Sequence, residues 1–172
     1  MRNVIAVIGL VIALGAVNWS IVGKEKHLAE GEVVYLELAP VDPRSLMQGD
    51  YMALRFYVAD KVYEALPKKE EEPVWWASVD APDGKVVVAL DERKIGRFVR
   101  IDDGAVLLAN ELRMVYRVRR GRVKFATNAF FFEEGTGSIY EPALYGQFRV
   151  DDEGELLLIA MYDKDLNQLV PQ

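Results

Sequence analysis

At 172 residues, with 28% charged side chains and a net charge of −6, the chain has room for one domain with its own core and is too acidic to favour a phosphate backbone, so nucleic acid is set aside as a partner. It contains no cysteine, which removes disulfide frameworks and thiolate chemistry, whether metal-binding or catalytic.

The first element is apolar. From Val4 to Val17 the sequence VIAVIGLVIALGAV has no polar side chain, and continuing to Val22 adds only Asn18 and Ser20. As a helix, residues 4–22 would rise roughly 28 Å, close to the ~30 Å hydrocarbon core of a bilayer. A cleaved signal would end in small residues inside a short polar region, whereas Ala13-Leu14-Gly15 still lies within the apolar run. Trp19 suits the headgroup level of a retained span. These features predict an uncleaved membrane anchor over 1–23, a polar stem over 24–31 and a β-rich domain over 32–172. The short N-terminal side favours an N-in, C-out arrangement, and without Arg2 the remainder carries −7 rather than −6.

Val34, Leu36 and Leu38 alternate with Val33, Tyr35 and Glu37 as a strand would, and APVDP stops the run. Met52, Leu54, Phe56 and Val58 share one face of a second predicted strand, with Tyr51, Ala53, Arg55 and Tyr57 on the other. KVYEALPKKEEEP, residues 61–73, offers a helical turn or two before Pro67 and then a charged loop. VWWASVD and KVVVALDE flank Pro82-Asp83-Gly84 and read as a hairpin, as do LRMVYRVR with RVKFATNAFFF and YGQFRV with ELLLIAMYD. GRFVRI is a further strand. With neither a repeat period nor βαβ alternation, the fold class is mainly β: an antiparallel barrel or sandwich of roughly eight to ten strands with short helical turns. Its predicted core includes Leu36, Leu54, Phe56, Val87, Met114, Phe125 and Leu157.

The segment SLMQGDYMALRF joins a turn to a strand. Asp42-Pro43-Arg44-Ser45 suits a type I turn, Gly49 permits a positive φ, and Asp50 can accept backbone N–H hydrogen bonds. Leu54 and Phe56 then belong to the core, leaving Tyr51, Arg55 and Tyr57 to meet a partner. The octet Gly49-Asp50-Tyr51-Met52-Ala53-Leu54-Arg55-Phe56 resembles the signature of the GDYXXLXY proteins, with Phe56 in place of the final Tyr. APVDPRSLMQ and FFFEEGTGSIYEPALYGQFRVDDEGELLLIAMYD are similar to other blocks of that family. The resemblance implies a membrane-anchored bacterial envelope protein, often encoded next to a larger multi-pass membrane protein. With the N-in, C-out arrangement, the expected location is the inner membrane with the domain outside the cytoplasm and a multi-pass integral membrane protein as a possible partner. It implies no reaction. A ring that tolerates Phe for Tyr points to packing rather than hydroxyl chemistry at position 56.

A fainter resemblance, of Ser45-Leu46-Met47-Gln48-Gly49-Asp50 to bacterial signal peptidases, supplies the alternative function: a serine hydrolase with Ser45 as nucleophile and a desolvated lysine as base. The spacing from Ser45 to Gly49 is short for that family, and Lys94 is a poor base. His27 has no neighbouring ligand residues, and the Asp-Asp-Gly and Asp-Asp-Glu-Gly clusters at 102–104 and 151–154 suit turns better than calcium. Neither metal nor cofactor is expected. Arg113, Arg117 and Arg119, on one face of a basic hairpin with Arg120, Arg122 and Lys124, form a second candidate surface for anionic headgroups or an acidic partner. Phe130-Phe131-Phe132 is apolar on both faces of its strand, which calls for burial on both or for a partner. The function expected is a non-catalytic interaction module for an integral membrane partner.

Overall fold

The computed structural model describes residues 2–39, 51–68, 79–127 and 129–171, with side chains from residue 9 onward. Helix α1 (Arg2–Glu30) runs unbroken through the apolar stretch and the polar residues after it. It meets no proline, and Gly31 closes it by donating its N–H to the His27 carbonyl at 3.0 Å. A Cβ at position 31 would lie 2.6 Å from that same oxygen, so only glycine fits there without a shift. Every residue from Gly9 to Lys26 is exposed. Among the described residues no helix is long and apolar enough to cross a membrane. The predicted span begins at Val4, and the side chains of its first five residues lie outside the description.

Among the described residues nine strands follow. β1 (Glu32–Glu37), β8 (Tyr145–Val150) and β9 (Leu156–Tyr162) form a three-stranded sheet in the order β1-β8-β9. β3 (Gly84–Leu90), β4 (Gly96–Ile101), β5 (Glu111–Arg119) and β6 (Arg122–Lys124) form a second in the order β4-β3-β5-β6. β2 (Tyr51–Ala53) pairs with β7 (Ala129–Phe131). Every strand pair within these sheets is antiparallel. The two larger sheets touch where Tyr35 bridges Ile95 and donates its N–H to the Lys94 carbonyl at 2.9 Å. The result is a mainly β molecule with a curled, half-barrel-like sheet. Val34 and Leu36 from β1, Val86 and Val88 from β3, Met114 from β5 and Phe148 and Met161 from the hairpin fill its inside, all fully buried.

Three local expectations change. The strand starting at Tyr51 stops at Ala53, Phe56 bridges Leu38, and Tyr57–Ala65 form helix α2. Val58 fits the alternation of Met52, Leu54 and Phe56, but with Ala59, Val62 and Leu66 it also fits a helical stripe, and those four residues are buried against the core. Asp60 in the first turn favours the helix, which ends before Pro67. The predicted hairpin across Pro82-Asp83-Gly84 does not form within the described residues. Val79 bridges Lys68, and β3 is flanked on its two edges by β4 and β5. Val86, Val87 and Val88 are buried in succession, as a central strand requires. Leu157 is half-buried; beyond the bulge at Gln147/Phe148 it is Leu156, opposite Val150, that enters the core.

Candidate interaction surface

Three described motif residues, Tyr51, Leu54 and Phe56, divide as their spacing suggests. Gly49 and Asp50, like Ser45 and the turn before it, lie outside the described residues. Leu54 and Phe56 are buried, and the Phe56 ring meets Phe148 edge-on at 5.3 Å between centroids. Tyr51 is 38% exposed and sits opposite Phe131, itself 73% exposed, with ring centroids 5.8 Å apart. Phe130 and Phe132 turn the other way and pack on Tyr140, at 5.0 and 5.2 Å. Hence the triple-phenylalanine segment packs on the core with one face only, where Phe130 and Phe132 are half-buried.

Arg55 and Tyr57 are also exposed, yet they do not continue a strand row from Tyr51. Tyr57 opens α2, and the Arg55 guanidinium turns to Asp60 in the same helix, Nε to Oδ1 at 2.9 Å. The ring that stands beside Tyr51 is Phe131, from a strand distant in sequence.

On the basic hairpin each of the three candidate arginines has a carboxylate partner. Arg113 binds Asp102 at 2.9 Å and the Ala105 carbonyl at 2.7 Å. Arg117 reaches Glu155 at 3.0 Å. Arg119 grips both oxygens of Asp83, at 2.7 and 2.8 Å, while the Val118 N–H donates to Oδ1 of the same carboxylate. The Arg119 hydrogen bonds, and after them the Val118 N–H, hold Asp83 below the usual carboxylate range. These pairs offset much of the positive face read from the sequence.

The join between α1 and the sheet is a contact that spacing alone did not signal. His27 is 6% exposed and is the buried polar side chain of the described core. Its Nε2–H donates to the Arg149 carbonyl at 2.9 Å, and its Nδ1 lies 3.3 Å from the Asp151 carboxylate. Arg149 in turn donates from Nη1 to the Gly31 carbonyl at 2.8 Å. Helix end and strand β8 thus exchange hydrogen bonds in both directions, a clasp rather than a loose stem. Gly31, the helix stop, was the available cue. What paired His27 with residues more than a hundred positions away was the β1–β8 register, Glu32 opposite Val150.

The acidic clusters serve turns. Asp102 accepts from Gly104 N–H, Asp103 from Ala105 N–H and Asp151 from Glu155 N–H, at 3.2, 3.1 and 2.8 Å. Gly154, at φ +86°, closes the β8–β9 turn where a Cβ would meet the Arg113 carbonyl at 2.9 Å. Among the described residues no group of three or more potential metal ligands is gathered. Lys94 is half-exposed and bound to Glu32 at 2.7 Å, the setting of a solvated ion pair rather than of a desolvated base. Burial lowers the Lys68 and Lys124 ammonium groups from their ordinary value.

A family model, described as GDYXXLXY protein, matches residues 13–161. No curated protein and no solved structure matches the chain.

Proposed function

The chain belongs to the GDYXXLXY family, and from that premise we propose that it is a non-catalytic interaction module held at a membrane by α1. One observation carries the reading: from Leu10 to Val22 the helix exposes eight large apolar side chains, Trp19 to 85%, and has no polar face to turn to water. A helix apolar all round is stable when something apolar surrounds it. Residues 4–22 reach bilayer length, with Trp19 at one headgroup level and Lys24 and Lys26 beyond it. On this reading the β domain lies on the extracytoplasmic side of a bacterial inner membrane, the location that the resemblance to the family implies.

Tyr51, Arg55 and Tyr57 are the contact residues for an integral membrane partner. Aromatic and arginine side chains carry binding energy out of proportion to their number, and truncating one commonly costs about 2 kcal/mol or more. The test is co-purification from detergent-solubilised native membranes. The triple alanine variant should lose the partner retained by the unmodified chain, with unchanged circular dichroism and melting temperature. Full retention of that partner by the folded variant would move the interface elsewhere.

A further inference from the structure

Between α1 and the edge of the domain lies an open groove of about 400 Å³, within the size range of small-molecule sites. Lys24 forms its wall on α1, and Phe130, Phe131, Leu157 and Leu158 line it from the domain. Arg117 and Glu155 also line it, but they neutralise one another at 3.0 Å. Lys24 has no ion-pair partner among the described residues. The groove therefore combines one available cation with exposed apolar side chains, the two chemistries that meet a phospholipid.

Its position names the occupant. Lys24 follows Val22, the end of the apolar run, by two residues, a rise of roughly 3 Å along a helix. The clasp of His27, Gly31 and Arg149 fixes that part of α1 against β8, so the wall is held in place relative to Phe131. Resting on the reading of α1 as a membrane anchor, we infer that this groove seats a phospholipid of the adjoining leaflet. The lipid phosphate meets the Lys24 ammonium, and its acyl chain lies along Phe131 and Leu157. Phe131, 73% exposed, stands where such a chain would cover it.

The absence of cysteine lets a spin label be introduced at one chosen position of the full chain. Phe131→Cys, Leu157→Cys, Ile12→Cys and Val106→Cys are labelled separately and reconstituted into phosphatidylethanolamine–phosphatidylglycerol vesicles. Collision rates with oxygen and with a water-soluble nickel chelate are then compared. Val106, 93% exposed on the loop before β5, is the aqueous reference. The inference expects the labels at 131 and 157 to favour oxygen several-fold over the label at 106, and the label at 12 to do so as well. If 12 favours oxygen while 131 and 157 match 106, the anchor stands and the lipid groove is wrong. If 12 also behaves as aqueous, the anchor reading fails and takes the groove with it. Labels at 131 and 157 shielded from both reagents would mean protein covers the groove, which also overturns the inference. Lys24→Gln should lower the groove's preference for phosphatidylglycerol over phosphatidylcholine about fivefold; an unchanged preference would contradict the assigned headgroup contact.

Discussion

Phe56 is the residue at which the motif enters the core. Its ring meets Phe148, and a Cβ added at Gly146 would come within 3.2 Å of its edge, so little space surrounds it. Phe56→Ala should cost about 3–5 kcal/mol, read as a lower urea midpoint for the full chain in mild detergent. The structural role of that position was legible because a Phe stands where the family's signature has Tyr. The fate of Tyr51 was only half legible. Alternation puts it opposite the core, but no local pattern says that its neighbour there is Phe131, because that contact depends on which strand pairs with β2. Asp83 gives a prediction in pH. Held below its ordinary 3.8, its carboxyl binds a proton less readily in the folded chain than in the unfolded one. Its contribution is therefore complete above that value and is lost as pH falls through the lowered one. The difference in urea midpoint between the unmodified chain and Asp83→Asn should be present at neutral pH and vanish toward the acid end. A difference independent of pH would remove Asp83's charge from the explanation.

Among elements, the strands were the most legible and their partners the least. β1, β4, β5 and the β8–β9 pair lie where alternation and turn residues predict them, since a half-buried strand writes its pattern locally. The partner of β3 was misread because proximity along the chain favours a hairpin, whereas its three successive buried valines mark a strand flanked on both edges. α2 was partly missed for a related reason: Val58 satisfies period 2 with the residues before it and period 3.6 with those after it. The clasp at the end of α1 belongs to this scale. Gly31→Ala drives a methyl group against the His27 carbonyl, and should cost about 1–3 kcal/mol, seen as faster amide hydrogen exchange over residues 24–31. His27→Gln keeps a side-chain donor but loses the ring's second nitrogen facing Asp151, and should give a smaller acceleration over the same residues. Exchange rates unchanged in both variants would mean that the helix end is held by other contacts.

At the scale of the whole molecule, a bare apolar helix is joined by a hydrogen-bonded clasp to a curled β domain, and an exposed aromatic pair stands on a small two-stranded sheet beside it. A loose tether would let the domain turn freely, and no one surface would face a membrane partner for long. A fixed join makes the orientation of Tyr51 a property of the fold. The most direct measurement is site-specific photocrosslinking in native membranes, with a photoreactive amino acid replacing Tyr51 in one variant of the full chain and Val106 in another. A crosslink from position 51 to an integral membrane protein is expected, lost when Arg55 and Tyr57 are changed to alanine, and none from position 106. Equal crosslinking from both positions, or capture at 51 of soluble proteins alone, would contradict it.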